Sequence, residues 1–300
     1  MATRISDANC SGTKERVFRT RRRVVRTSFN LLWNCTPALS KRIFKRVLFS
    51  PSSYRINPLE RNYLKHGRPF QIIVHDKVVR CWKWGHGPGI LLAHGWSGRG
   101  IQLHPFIEPL TQRGYSAITY DAPGHGESQG KTSSYFEITD TIRSLLTSSN
   151  GYEIQGIIAY SMGAAAAVNS LVREKRSVAA AFLAPLLRVE ELLTCYFDAM
   201  GVPKTIFQTL VADYEQQFGY NLHQDNPSDL MKVIDSRILI VHDKDDPRVP
   251  YVDSKNIADQ MENVSLYTTE GLGHRRIVAD RFVVNRVVDH VSKPSAYRDS

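Results

Sequence analysis

Six short apolar runs punctuate the chain: Gly89–Ala93, Ser116–Tyr120, Gly156-Ile157-Ile158, Ala179–Ala184, Arg237–Val241 and Val264–Thr268. Runs of this length, rich in β-branched residues and bounded by turn residues, predict buried strands. Three other stretches carry helical spacing instead: Leu39–Leu48, Val189–Met200 and Lys204–Phe218. The last two fall between the fourth and fifth runs, in the longest segment without a strand, about 185–235. Strands alternating with helical patterns predict an open α/β sheet, which presents functional groups beyond the carboxyl ends of its strands.

The turns after these strands carry the candidate chemistry. Ala159-Tyr160-Ser161-Met162-Gly163 lies between an apolar run and the small-residue run Ala164–Ala167. A strand, tight turn and helix are thereby compressed around one hydroxyl, which the turn pushes out of the sheet edge. Ala159 stands where G-x-S-x-G has its first glycine, the smallest departure available. A nucleophilic serine needs a base, and the base needs a carboxylate to fix its tautomer. Downstream, the run ending at Val241 leads into His242-Asp243-Lys244-Asp245-Asp246, and the run ending at Thr268 leads into Gly271-Leu272-Gly273-His274. His274 is expected on a Gly-flanked, mobile loop. Upstream, Gly89–Ala93 runs into His94-Gly95-Trp96-Ser97-Gly98. A Gly-rich turn there can aim the Trp96 amide at a developing oxyanion, paired with the amide of Met162. His94, His125, Asp121 and His242 read as local braces of turns, and the Asp243/Asp245/Asp246 cluster is too closely spaced for a hard cation.

Taken together, His94-Gly95-Trp96, Asp121-Ala122-Pro123-Gly124-His125-Gly126, Ala159–Gly163, Asp246-Pro247-Arg248-Val249-Pro250 and Gly271–His274 resemble the α/β-hydrolase-fold serine hydrolases, the group of carboxylesterases, lipases and proline-iminopeptidase-like peptidases. The resemblance covers roughly residues 68 to 292. It implies a mostly parallel central sheet flanked by helices, with residues of about 185–235 forming a small helical cap. It implies Ser161 as nucleophile, His274 as general base and Asp246 as acid; Asp246 is preferred over Asp245 because the family places the acid at D-x-x-V-P. The expected substrate is a small-molecule ester with a small or medium acyl group, with no cofactor and no metal. A peptidase would need an acidic cap residue, from Glu190, Glu191, Asp198, Asp213 or Glu215. A third reading is a membrane-peripheral binding protein with a little-used hydrolase site. Leu186, Leu187, Leu192, Leu193, Tyr196, Phe197, Met200, Ile206 and Phe207 are candidates for lining an acyl pocket or for packing the cap down.

Charge alters the picture at one end. Residues 1–50 hold 12 Lys/Arg and 2 Asp/Glu of the chain's 39 and 29, so the rest is balanced and the net +10 belongs to a basic arm. The arm is expected to span residues 1–67, ahead of a hydrolase domain over 68–300. Arg16, Arg19, Arg21, Arg22, Arg23 and Arg26 precede the apolar Phe29–Trp33. In the next segment Leu39, Ile43, Phe44, Val47 and Leu48 share one half of a helical wheel, opposite Lys41, Arg42, Lys45 and Arg46, with Phe49 on the basic side. Such a helix can lie on an anionic membrane surface, giving residues 16–49 that role, or dock its apolar stripe on the hydrolase body. Asn30, Asn34 and Pro37 interrupt the apolar stretch that a twin-arginine signal at Arg22-Arg23 needs, Asp7 and Glu15 weaken an organellar transit peptide without excluding it, and a neutral body argues against nucleic acid. No stretch reaches eighteen uninterrupted apolar residues, and Cys10, Cys35, Cys81 and Cys195 have no metal or disulfide spacing. A cytoplasmic setting, with or without membrane association, fits this composition.

Overall fold

The computed structural model of the chain describes residues 11–147 and 153–292, with side chains from residue 22 onward. Cys10 and the side chains of Arg16, Arg19 and Arg21 lie outside the described residues. Three helices lead: α1 (Ser11–Cys35), α2 (Pro37–Leu48) and α3 (Pro58–His66). The sheet follows as β1 (Arg68–Val74), β2 (Lys77–Trp84), β3 (Gly89–Ala93), β4 (Ser116–Tyr120), β5 (Ile154–Tyr160), β6 (Ala179–Leu183), β7 (Ile238–Asp243) and β8 (Val264–Thr269). Its spatial order is β1-β2-β4-β3-β5-β6-β7-β8. The β1/β2 and β2/β4 pairs are antiparallel and the others parallel.

Between the strands lie α4 (Ile107–Gln112), α5 (Tyr135–Thr147), α6 (Met162–Arg173), α7 (Val189–Ala199), α8 (Lys204–Phe218), α9 (Pro227–Leu230), α10 (Tyr251–Gln260), α11 (Gly273–Arg276) and α12 (Arg281–Val291). Every residue of β3, β4, β6 and β7 is buried, as parallel strands covered on both faces must be. On one face the core is closed by Ile138, Ile142 and Leu145 of α5, the alanines of α6 and Ile257 of α10. On the other face Phe106, Leu110 and the α12 valines close it. The β1–β2 edge is not marked by an apolar run, because Gln71, Lys77, Arg80 and Lys83 alternate with buried residues on a half-exposed edge. His75 and Asp76 turn that hairpin with φ of 47° and 60°, the left-handed pair that a two-residue loop requires.

The basic arm packs against the cap. Phe44 and Leu48 enter the core, and the rings of Phe29 and Trp33 from α1 meet Phe44 at 4.2 and 6.1 Å. Arg22 and Arg26 hold Asp198 at the end of α7, the latter at 2.7 Å, and Lys41 and Lys45 hold Asp213 on α8 at 2.6 and 3.0 Å. The single apolar face expected for α2 is divided. Leu39, Ile43 and Val47 stay exposed while Ser40 is buried in their stead. Phe49 is not on a basic face either: the helix stops at Leu48, and Phe49 turns inward against Tyr214 and Phe197 at 4.7 and 6.1 Å. Cys35, Cys81 and Cys195 are free thiols, and Cys81 is fully buried in β2. Among the described residues no helix is long and apolar enough to cross a membrane.

Candidate active site

Ser161 occupies the single residue between β5 and α6, with φ 54° and ψ −121°. A non-glycine residue takes that conformation only where its surroundings enforce it. Small neighbours make the enforcement workable. A Cβ on Gly163 would lie 2.4 Å from the His94 carbonyl oxygen, and one on Gly95 would lie 3.0 Å from the Ser161 Cβ. The turn after β3 therefore passes directly against the serine turn. Ala159 is accommodated in β5, fully buried.

Two further elements bring their groups to this hydroxyl. His274 Nε2 is 3.1 Å from Ser161 Oγ, and His274 Nδ1 is 2.7 Å from Asp246 Oδ2. The amides of Arg248 and Val249 donate to Asp246 Oδ1 at 2.8 and 3.0 Å, which pins the carboxylate from behind. Burial opposes the charged form of Asp246, but the imidazoles of His242 and His274 and those two amides outweigh it and hold its pKa well below the carboxylate range. His274 differs from its expected setting. It lies on the one-turn helix α11 with only 6% of its side chain exposed, its ring tilted against that of Tyr160 at 5.1 Å, whose hydroxyl donates to the His274 carbonyl at 3.0 Å. His274 is thus a packed residue on a helical turn, not one on an open loop.

Asp243 and Asp245 carry the loop that carries His274. Buried Asp243 accepts from the Thr269 hydroxyl at 2.7 Å and the Leu272 amide at 2.9 Å, and Asp245 accepts from the Gly271 amide at 3.0 Å. His242 meets Ser254 Oγ at 2.6 Å through Nδ1, and its Nε2 stands 3.4 Å from Asp246 Oδ2 without hydrogen-bond geometry. His94 and His125 are braces: His94 Nδ1 donates to the Gly95 carbonyl while its Nε2 accepts the Ala122 amide, and His125 Nε2 accepts the Ser97 amide. Burial pushes the His94 pKa down to about 4 and that of His125 to about 3, so both are neutral imidazoles. Asp121 accepts from Arg99 and from the amides of Gly100 and Glu127, which fixes the two upstream turns together.

Trp96 and Met162 both line the cleft beside Ser161. Met162 begins α6, where an amide has no intrahelical acceptor, and the Trp96 amide makes no hydrogen bond among the described residues. The cleft measures about 1340 Å³ and is bounded by three parts of the chain. The cap supplies Leu186, Leu192, Leu193, Tyr196, Phe197 and Met200. Leu187, Ile206 and Phe207, candidates for the same wall, are packed into the core instead, where Phe207 meets Phe197 at 4.8 Å. The arm and its linker supply Val47, Leu48, Phe49, Tyr54 and Arg55, a wall that no local sequence motif marks. Near His274 and Asp246, Arg248 and Arg275 face the cleft without an ion pair among the described residues, and both offset the burial that raises the Tyr160 phenol.

Comparison with known proteins agrees with the fold. A profile described as the alpha/beta hydrolase family matches residues 90–286. No curated protein matches the sequence. Among solved structures, esterase Pf2001 of Pyrococcus furiosus is similar at 18% identity and TM-score 0.60, covering 80% of this chain and 97% of its own. Est1E of Butyrivibrio proteoclasticus, solved with ferulic acid bound, is similar at 18% identity and TM-score 0.58, covering 75% and 100%. The esterase EaEST of Exiguobacterium antarcticum is similar at 16% identity and TM-score 0.60, covering 75% and 100%. At these identities the likeness is one of fold.

Proposed function

Because the chain belongs to the alpha/beta hydrolase family, we propose that it is a serine hydrolase of small-molecule carboxylic esters, working through an acyl-enzyme. The observation that carries this reading is the hydrogen-bonded series Ser161 Oγ, His274, Asp246 at 3.1 and 2.7 Å, reached from three separate strand ends. In this reading His274 Nε2 takes the Ser161 proton as Oγ attacks the ester carbonyl. Asp246 holds Nδ1–H and stabilises the imidazolium. The amides of Met162 and Trp96 receive the oxyanion, each such donor being worth roughly a hundredfold or more in rate. His274 then protonates the leaving alkoxide, and water repeats the cycle on the acyl-enzyme. The small or medium acyl group lies along the apolar cap wall. No cofactor or metal takes part.

The ester reading is favoured over a peptidase by what the cap carboxylates do. Glu190 pairs with His223, Glu191 with Arg188, and Asp198 and Asp213 with the arm. Glu215 accepts the Leu222 amide at 2.6 Å. None of the five lines the cleft, whose free charges near the base are cationic. The one carboxylate in the cleft wall, Glu60, already accepts from the Tyr54 hydroxyl at 2.5 Å and the Asn57 amide at 2.8 Å, so it is not a free partner for a substrate ammonium.

Labelling with a fluorescent fluorophosphonate tests the proposal. The intact chain should label, and Ser161→Ala should not, while keeping the circular dichroism and melting profile of the parent. A folded parent that neither labels nor turns over p-nitrophenyl esters would remove the proposal.

A further inference from the structure

The uncovered half of α2 has a direction. At 100° per residue, Ser40, Phe44 and Leu48 form the stripe that docks, and Lys41 and Lys45 fall on the flank that meets Asp213. Leu39, Ile43 and Val47 fall on the opposite flank, 57%, 43% and 61% exposed. Val47 is also a wall of the cleft, and so are Tyr196 of α7 and Met200 just past its end, themselves 58% and 43% exposed. The apolar flank of α2 therefore runs into the rim of the cleft. Arg42 and Arg46 occupy the outer face beside it, and neither makes an ion pair among the described residues.

We propose that this rim is a docking surface for an anionic membrane, with Leu39, Ile43 and Val47 entering the headgroup region, Arg42 and Arg46 meeting lipid phosphates, and the cleft opening onto the bilayer. Charge selects this occupant. The arm holds the chain's whole excess of cations, and the cap consumes only some of them, leaving the arginines next to the apolar flank unneutralised. An apolar stripe bordered by arginine is the arrangement that binds a bilayer interface. Attachment is peripheral, since no described helix can cross. Each basic residue near an anionic surface strengthens partitioning roughly fivefold, and the effect is screened by salt.

Sedimentation of the full chain with vesicles tests this, and does so without reference to catalysis. The chain should bind phosphatidylcholine vesicles containing phosphatidylglycerol, bind pure phosphatidylcholine far less, and be released by salt. Two double variants probe the surface, Leu39→Ser with Ile43→Ser and Arg42→Glu with Arg46→Glu; all four side chains are exposed and none lines the cleft. Each pair should weaken binding at least about tenfold, with unchanged turnover of a soluble short-chain ester. The proposal is overturned if the parent stays in the supernatant, if it binds neutral vesicles equally, or if the apolar pair leaves binding intact. A parent that is a dimer, made monomeric by the apolar pair, would give this face to a second copy instead.

Discussion

At Ser161 the backbone is held where no ordinary residue would settle, and the holding is done by the absence of side chains around it. Gly163 is the tightest case, because its α-carbon hydrogens face the backbone carbonyls of Ala93 and His94 rather than a side chain that can swing away. Gly163→Ala should therefore cost about 1–3 kcal/mol of stability and lower kcat by moving the serine turn away from β3. Urea titration together with steady-state kinetics checks both; unchanged stability would show that the turn relaxes freely. The serine turn, His274 and Asp246 were legible in the sequence because each follows a strand in a short motif. The bracing role of Asp243 was not, since its partners Thr269 and Leu272 are brought to it only by the pairing of β7 with β8.

Among the elements, the strands announced themselves, whereas the arm did so only in part. Continuous apolar runs can be hidden in one way, between two layers of helices, so β3, β4, β6 and β7 were unambiguous. An amphipathic helix leaves the choice of buried stripe open by a turn of the wheel. In α2 the choice was settled by Ser40, a polar residue that can be buried because its hydroxyl donates to the Leu32 carbonyl at 2.6 Å, across the junction with α1. Phe44, rather than Leu39 or Ile43, thus became the anchor, sandwiched near Phe29 and Trp33. Phe44→Ala should cost about 3–5 kcal/mol if the arm unfolds together with the body. Limited proteolysis adds a second readout: cleavage within residues 22–49 should quicken in the variant, and an unaltered cleavage pattern would show that the ion pairs to Asp198 and Asp213 suffice.

For the molecule as a whole, acid is the predictable stress. His94 and His125 have pKa values near 4 and 3 in the fold and near 6.5 when unfolded, so the unfolded chain binds more protons between those limits. Stability must then decline as pH falls below about 6.5, by up to about 1.4 kcal/mol per pH unit for each histidine, until the folded values are reached. Asp246 acts in the same sense at lower pH. Its depressed value contributes stability above the ordinary carboxylate range and loses it as pH falls through the folded pKa. Urea midpoints should drop between about pH 7 and pH 5, and equal midpoints would contradict the burial of these imidazoles as neutral groups.

Ten residues of the cleft wall, Val47 to Glu60, precede residue 90, where the family match begins. One wall of the cleft is thereby written on a separate stretch of the chain from the serine turn, while the cap wall shares the stretch that the family match covers. An exchange of the leading stretch between two such proteins would re-dress that one wall and leave both the cap wall and the serine turn untouched, so that the shape of the cleft can drift without disturbing the groups at its base.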